Sequence, residues 1–126
     1  MRKLILATSL CLVAALAAQA QTKTWETKKI SVPNALCEAC KKRITEHLKR
    51  HDGVGQVTVN TRRGEVTVKY VTDRTNIENI KAAIANIGYD ADDIKANEGF
   101  YKMLPKTCRK PEDGGHPKPK VPAGEN

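Results

Sequence analysis

The chain has 126 residues, enough for one domain, and its 22 lysines and arginines outnumber 14 acidic residues to give a formal charge of +8. Residues 1–20 stand apart. Arg2 and Lys3 precede an apolar run over 4–17, and Ala18-Gln19-Ala20 forms a small-x-small cleavage signal, so this segment reads as a secretory signal peptide. It is too short and wrongly flanked for a membrane span. Its removal, with Cys11, leaves 106 residues carrying +6. The expected location is periplasmic or secreted, with no stable membrane anchor. Export turns the positive charge toward solubility and acidic partners and away from nucleic acid. Three cysteines remain, Cys37, Cys40 and Cys108, and an odd count argues against a complete disulfide framework.

Residues 24–32 are rich in β-branched side chains, with Lys28, Ile30 and Val32 on one face of a first strand. Pro33-Asn34 breaks it and opens a loop. From about 38 to 51 the pattern is helical, with Cys40, Ile44 and Leu48 on one stripe. Gly53 supplies a left-handed stop. Residues 54–60 and 65–71 alternate as two strands joined by Thr61-Arg62-Arg63-Gly64, an antiparallel hairpin. Thr75 is the expected cap of a second helix, whose stripe is Ile77, Ile80, Ala83, Ile84 and Ile87 before Gly88. Residues 89–94 are expected to form a short last strand with Asp90, Asp92 and Asp93 on an exposed edge.

This order predicts an α+β fold, a ferredoxin-like βαββαβ sandwich over 21–96 with two helices on one face of a four-stranded antiparallel sheet. A short helical extension follows over 97–108, in which Phe100, Tyr101 and Leu104 pack back. Residues 109–126 are almost without apolar side chains and are expected to form a disordered tail.

The chemistry centres on Cys37-Glu38-Ala39-Cys40. Two thiols three residues apart across a helix start can turn toward one point, and the helix N-terminus with Lys41 and Lys42 beside Cys40 favours their thiolates. A two-thiolate site selects Cu(I), Zn(II) or heavier soft ions over Mg or Ca. The same pair is equally compatible with a structural or redox disulfide.

The leading strand, the C-x-x-C loop into a first helix, Gly53-Val54 opening the second strand, the Val-rich hairpin and Ile87-Gly88-Tyr89 together resemble a known family. It is the heavy-metal-associated domain of copper chaperones, metal-transporting ATPases and periplasmic mercury-binding proteins, and the resemblance covers about 24–94. It implies that Cys37 and Cys40 are the metal thiolates, that the ion is Cu(I) first, with Hg(II) or Zn(II) as others, and that it moves by ligand exchange with a partner's thiolate. The implied partner is a metal-transporting membrane protein or another metal carrier; the protein itself is expected to be a monomer and not an enzyme. Tyr89 matches a position that in the family packs near the metal loop. The loop departs from the family's Gly-Met-Thr-Cys: here Asn34-Ala35-Leu36-Cys37 puts Leu36 before the first cysteine and Ala35 where the methionine stands. Leu36, Lys41 and Tyr89 are therefore the site's supporting residues.

Cys108 is the candidate third ligand, with an intermolecular pair or a free thiol as its other readings. His47 and His51 sit four apart on the first helix, in zinc-compatible geometry but without a third ligand, and His116 stands alone. No phosphate-binding glycine loop, paired carboxylates or nucleophile signature supports catalysis. The leading function is thus an exported soft-metal-binding module. Its rival is a thiol-disulfide redox or redox-sensing module of the cell envelope. A third reading is a module whose basic first helix docks an acidic membrane partner.

Overall fold

The computed structural model describes residues 23–117; the signal peptide expected over 1–20 lies outside them. In chain order, β1 (Trp25–Ser31), α1 (Glu38–Lys49), β2 (Val54–Asn60), β3 (Glu65–Val71) and α2 (Ile77–Ala85) form the domain. A short α3 (Glu98–Lys102) and two 3₁₀ turns, Lys106–Cys108 and Pro111–Asp113, follow.

The sheet has three strands in the order β1-β3-β2, all antiparallel. Val66 of β3 stands opposite both Ile30 and Val59. That row of β-branched residues is buried, and Ile44 and Leu48 of α1 and Ile80 and Ile84 of α2 join the same core. Helical and strand periodicities therefore present their apolar stripes to one another, as the sequence pattern requires. No described helix is long and apolar enough to cross a membrane.

The fourth strand does not form among the described residues. Only an isolated bridge links Ala91 to Ile94. The aspartates expected at an exposed edge instead capture backbone groups and curl the chain. Asp90 accepts the Ala96 N–H at 2.9 Å. Asp92, at a left-handed φ of 51°, accepts the Ser31 N–H at 2.7 Å and donates its own N–H to the Ser31 carbonyl at 2.9 Å. Short carboxylates compete with the ladder for backbone partners, and here they win.

The cap of α2 is Asn76, not Thr75: Asn76 Oδ1 accepts the Asn79 N–H at 2.9 Å, while Thr75 is buried with its hydroxyl unpaired. Phe100, expected to pack back, is 44% exposed, and Leu104 alone of its group is fully inserted. Residues 109–113, expected to lie in a disordered tail, are held in place. Arg109 donates to the carbonyls of Leu104 and Lys102, at 3.1 and 2.7 Å, and Lys110 pairs with Asp90 at 3.0 Å, so ordered chain continues through the Pro111–Asp113 turn.

Residues 97–113 thus form a strap laid back on the domain. Gly88 permits its close approach. At a φ of 98°, it would, with a Cβ, come within 2.9 Å of the Phe100 backbone.

Candidate metal-binding site

The end of β1 is carried into the cysteine loop by backbone bonds. The Val32 N–H reaches the Gly64 carbonyl at 2.7 Å, and the Ala35 N–H returns to Val32 at 2.9 Å. Ala35 is fully buried beneath the loop, and Leu36 is half-buried against the hairpin turn at Gly64. Ala35 beneath the loop and Leu36 against the turn are thus the loop's apolar supports.

Cys37 is the N-cap of α1, with extended backbone, and its sulfur accepts the Cys40 N–H at 3.3 Å. This places sulfur where an oxygen cap usually sits, in the positive field of the helix terminus. Cys40 is fully buried in the first turn, and Cys37 is half-buried. The two are joined by a disulfide.

The strap brings Cys108 to the same point. It is 1% exposed, with Sγ 2.7 Å from the Cys40 sulfur and 3.6 Å from that of Cys37. Three soft donor atoms from two remote parts of the chain lie within 4.8 Å of one another. Three thiolates around one ion at a metal–sulfur distance of about 2.3 Å would be about 4 Å apart, so the donor set fits a soft ion once reduced.

Of the supporting residues, Tyr89 is placed at the site and Lys41 is not. Tyr89 is fully buried, its hydroxyl has no hydrogen bond of normal geometry among the described residues, and burial, then the Cys108 thiol, push its pKa well above the usual value. Lys41 is exposed and turned to Glu38 at 3.6 Å, while the helix terminus points its positive end at the sulfurs. His47 and His51 gain no third ligand among the described residues.

Sequence reasoning missed Asn34. Its side-chain amide donates to the Cys108 carbonyl at 3.0 Å in the buried interior, locking strap to loop. A polar residue just before a cysteine loop is the one available signal, and in the sequence it looks the same as a strand breaker.

A three-stranded antiparallel sheet with its helices, and a C-x-x-C pair at the start of the first, define a small ferredoxin-like domain with a thiol site. Residues 29–90 match the heavy-metal-associated domain. The copper-exporting P-type ATPase of Staphylococcus saprophyticus is 39% identical over 70 residues, which is 56% of this chain but 9% of that protein. Among solved structures, a CopZ metallochaperone is 30% identical with a TM-score of 0.51, aligned over 52% of this chain and 98% of its own. Oxidised MerP from Ralstonia metallidurans CH34 is 25% identical with a TM-score of 0.53, over 55% and 96%. The chain belongs to the heavy-metal-associated domain family, and its C-x-x-C site is of the kind found in copper chaperones and ATPase metal-binding domains. The strap that carries Cys108 lies beyond the matched region.

Proposed function

We propose that the protein is an exported carrier of a soft metal ion, Cu(I) first and Hg(II) or Zn(II) second, which binds when Cys37 and Cys40 are reduced. The observation that carries this reading is the convergence of both sulfurs at the N-terminus of α1 in a domain of this family. The helix terminus favours thiolate, and soft thiolate favours a soft ion. Zinc in a closed site asks for four ligands, and three sulfurs fall one short, which ranks it below Cu(I). The proposed partner is a metal-transporting membrane protein or another carrier, which exchanges thiolates with the bound ion. The signal-like segment over 1–20 supports a periplasmic or secreted location.

Native mass spectrometry of the reduced protein with Cu(I), Hg(II) or Zn(II) under a competing chelator tests this. One retained ion, lost in Cys37→Ser/Cys40→Ser, is the expected result. No ion on the reduced wild type would sink the reading. The disulfide favours a second reading, a redox couple of the envelope, and failure to bind metal would leave that one standing.

A further inference from the structure

The family's thiolate pair stands in a loop, with the third position about the ion free for a partner's thiolate. In this chain a third sulfur, that of Cys108, stands beside the pair. We infer that Cys108 is a built-in third thiolate, making a closed three-sulfur site that retains its ion until the strap lifts. This inference rests on the metal-binding reading above and names the coordination of that same site.

Four observations place Cys108 there by construction. Its sulfur lies 2.7 Å from Cys40 and 3.6 Å from Cys37. Its backbone carbonyl is held by the Asn34 amide at 3.0 Å, and Asn34 belongs to the cysteine loop itself. The strap is clamped downstream by Lys110 on Asp90 at 3.0 Å and upstream by Leu104, buried in the core. Gly88 provides the space that lets the strap pass. Independent contacts on both sides of Cys108 thus aim it at the pair, and a thiol adrift on a mobile tail would have none of them.

The sulfurs also do not stand in the line that an internal disulfide exchange at Cys40 requires. Displacement at Cys40 by Cys108 needs the leaving sulfur of Cys37 on the far side. With a normal S–S bond of about 2.05 Å, that alignment would separate Cys37 from Cys108 by about 4.8 Å. They are 3.6 Å apart, so the three form a triangle and not a line. Binding is a simple exchange of protons for metal: once a dithiol reductant has passed two electrons and two protons to the Cys37–Cys40 disulfide, becoming a disulfide itself, three thiols lose three protons as three metal–sulfur bonds form.

The functional consequence is retention. A third ligand tethered to the same chain returns at high effective concentration each time it leaves, so the ion is released more slowly than from two sulfurs. A recipient must displace Cys108 before its own thiolate can enter.

The test is X-ray absorption of the reduced, Cu(I)-loaded protein, with Cu(I) release to a competing chelator followed in parallel. Three sulfurs per copper are expected in the wild type and two in Cys108→Ser, with release from the variant faster by on the order of tenfold to a hundredfold. The wild-type sulfur count needs no variant, and circular dichroism checks that Cys108→Ser is folded. Two sulfurs in the wild type, or release unchanged in a folded Cys108→Ser, would overturn the inference while leaving the two-thiolate reading intact. Absence of any bound ion overturns both.

Discussion

The side-chain amide of Asn34 donates a hydrogen bond to the carbonyl of Cys108, 74 residues away in sequence, and both groups are buried. Among the described residues it is the one direct polar tie between the loop that starts α1 and the backbone of the cysteine carried by the strap. Asn34→Ala leaves that carbonyl without a partner in a dry interior. The expected loss is about 1–3 kcal/mol of stability by urea unfolding. Alkylation of Cys108 in the folded, reduced protein should quicken in the same variant. An unchanged alkylation rate would show that Leu104 and Lys110 hold the strap without the amide.

Gly88 carries the second contact between domain and strap. Gly88→Ala places a side chain in the left-handed region, at a cost of about 1–2 kcal/mol, and sets its Cβ against the Phe100 backbone. Because that clash lies at the strap, thermal unfolding should fall while the sheet's circular dichroism at low temperature is unaltered. Ile87 and Tyr89 stay anchored on either side, so the strap is what gives way.

The two cysteines at the helix start, both core helices and the hairpin were legible in the sequence. Each rests on local periodicity, which fixes a face without knowledge of the rest of the chain. The last strand was not legible, since three aspartates in an apolar-flanked stretch look like a charged edge. Whether they take solvent or backbone depends on Ser31 and Ala96 being close, and that is tertiary information. The misplaced cap at Thr75 has a similar cause: Thr75 and Asn76 are adjacent cap formers, and burial of Thr75 decides between them. Cys108 showed only as a candidate, because its approach is set by Gly88, Asn34 and Asp90 at long range. Its tail neighbours, almost free of apolar side chains, gave no sign of the arginine and lysine contacts that hold them.

Asp90 makes strap docking sensitive to acid. Desolvation alone would raise its pKa, but the Ala96 N–H, Lys110 and Lys95 outweigh it and hold the carboxyl below the usual value. A carboxylate depressed in the folded state contributes stability above its unfolded pKa of about 3.9, and that contribution is lost as pH falls through the folded value. Wild-type melting temperature should therefore drop below about pH 4, and the part of that drop due to Asp90 should vanish in Asp90→Asn. Asp90→Asn should also be less stable at pH 7. Equal melting temperatures for the two proteins at pH 7 would show that the pair contributes nothing.

Tyr89 offers a separate test of how the site uses its polar surroundings. Its hydroxyl is buried beside Cys108 without a normally formed hydrogen bond, and a buried polar group left unpaired costs about 1–3 kcal/mol. In the metal-free protein, Tyr89→Phe removes that cost while keeping the ring in the core. Its stability by urea unfolding should then equal or exceed that of the wild type. Loading with Cu(I) reverses the balance, because thiolates bound to a metal remain good acceptors and the phenol is the nearby donor. The ion should then leave Tyr89→Phe faster than the wild type, by a few-fold at most, since the hydroxyl supports a ligand and is not one. A variant less stable when metal-free would mean that the hydroxyl already bonds the Cys108 sulfur before any ion arrives. Unchanged release would confine Tyr89 to packing, and the closed site would then depend on Asn34 and the strap alone.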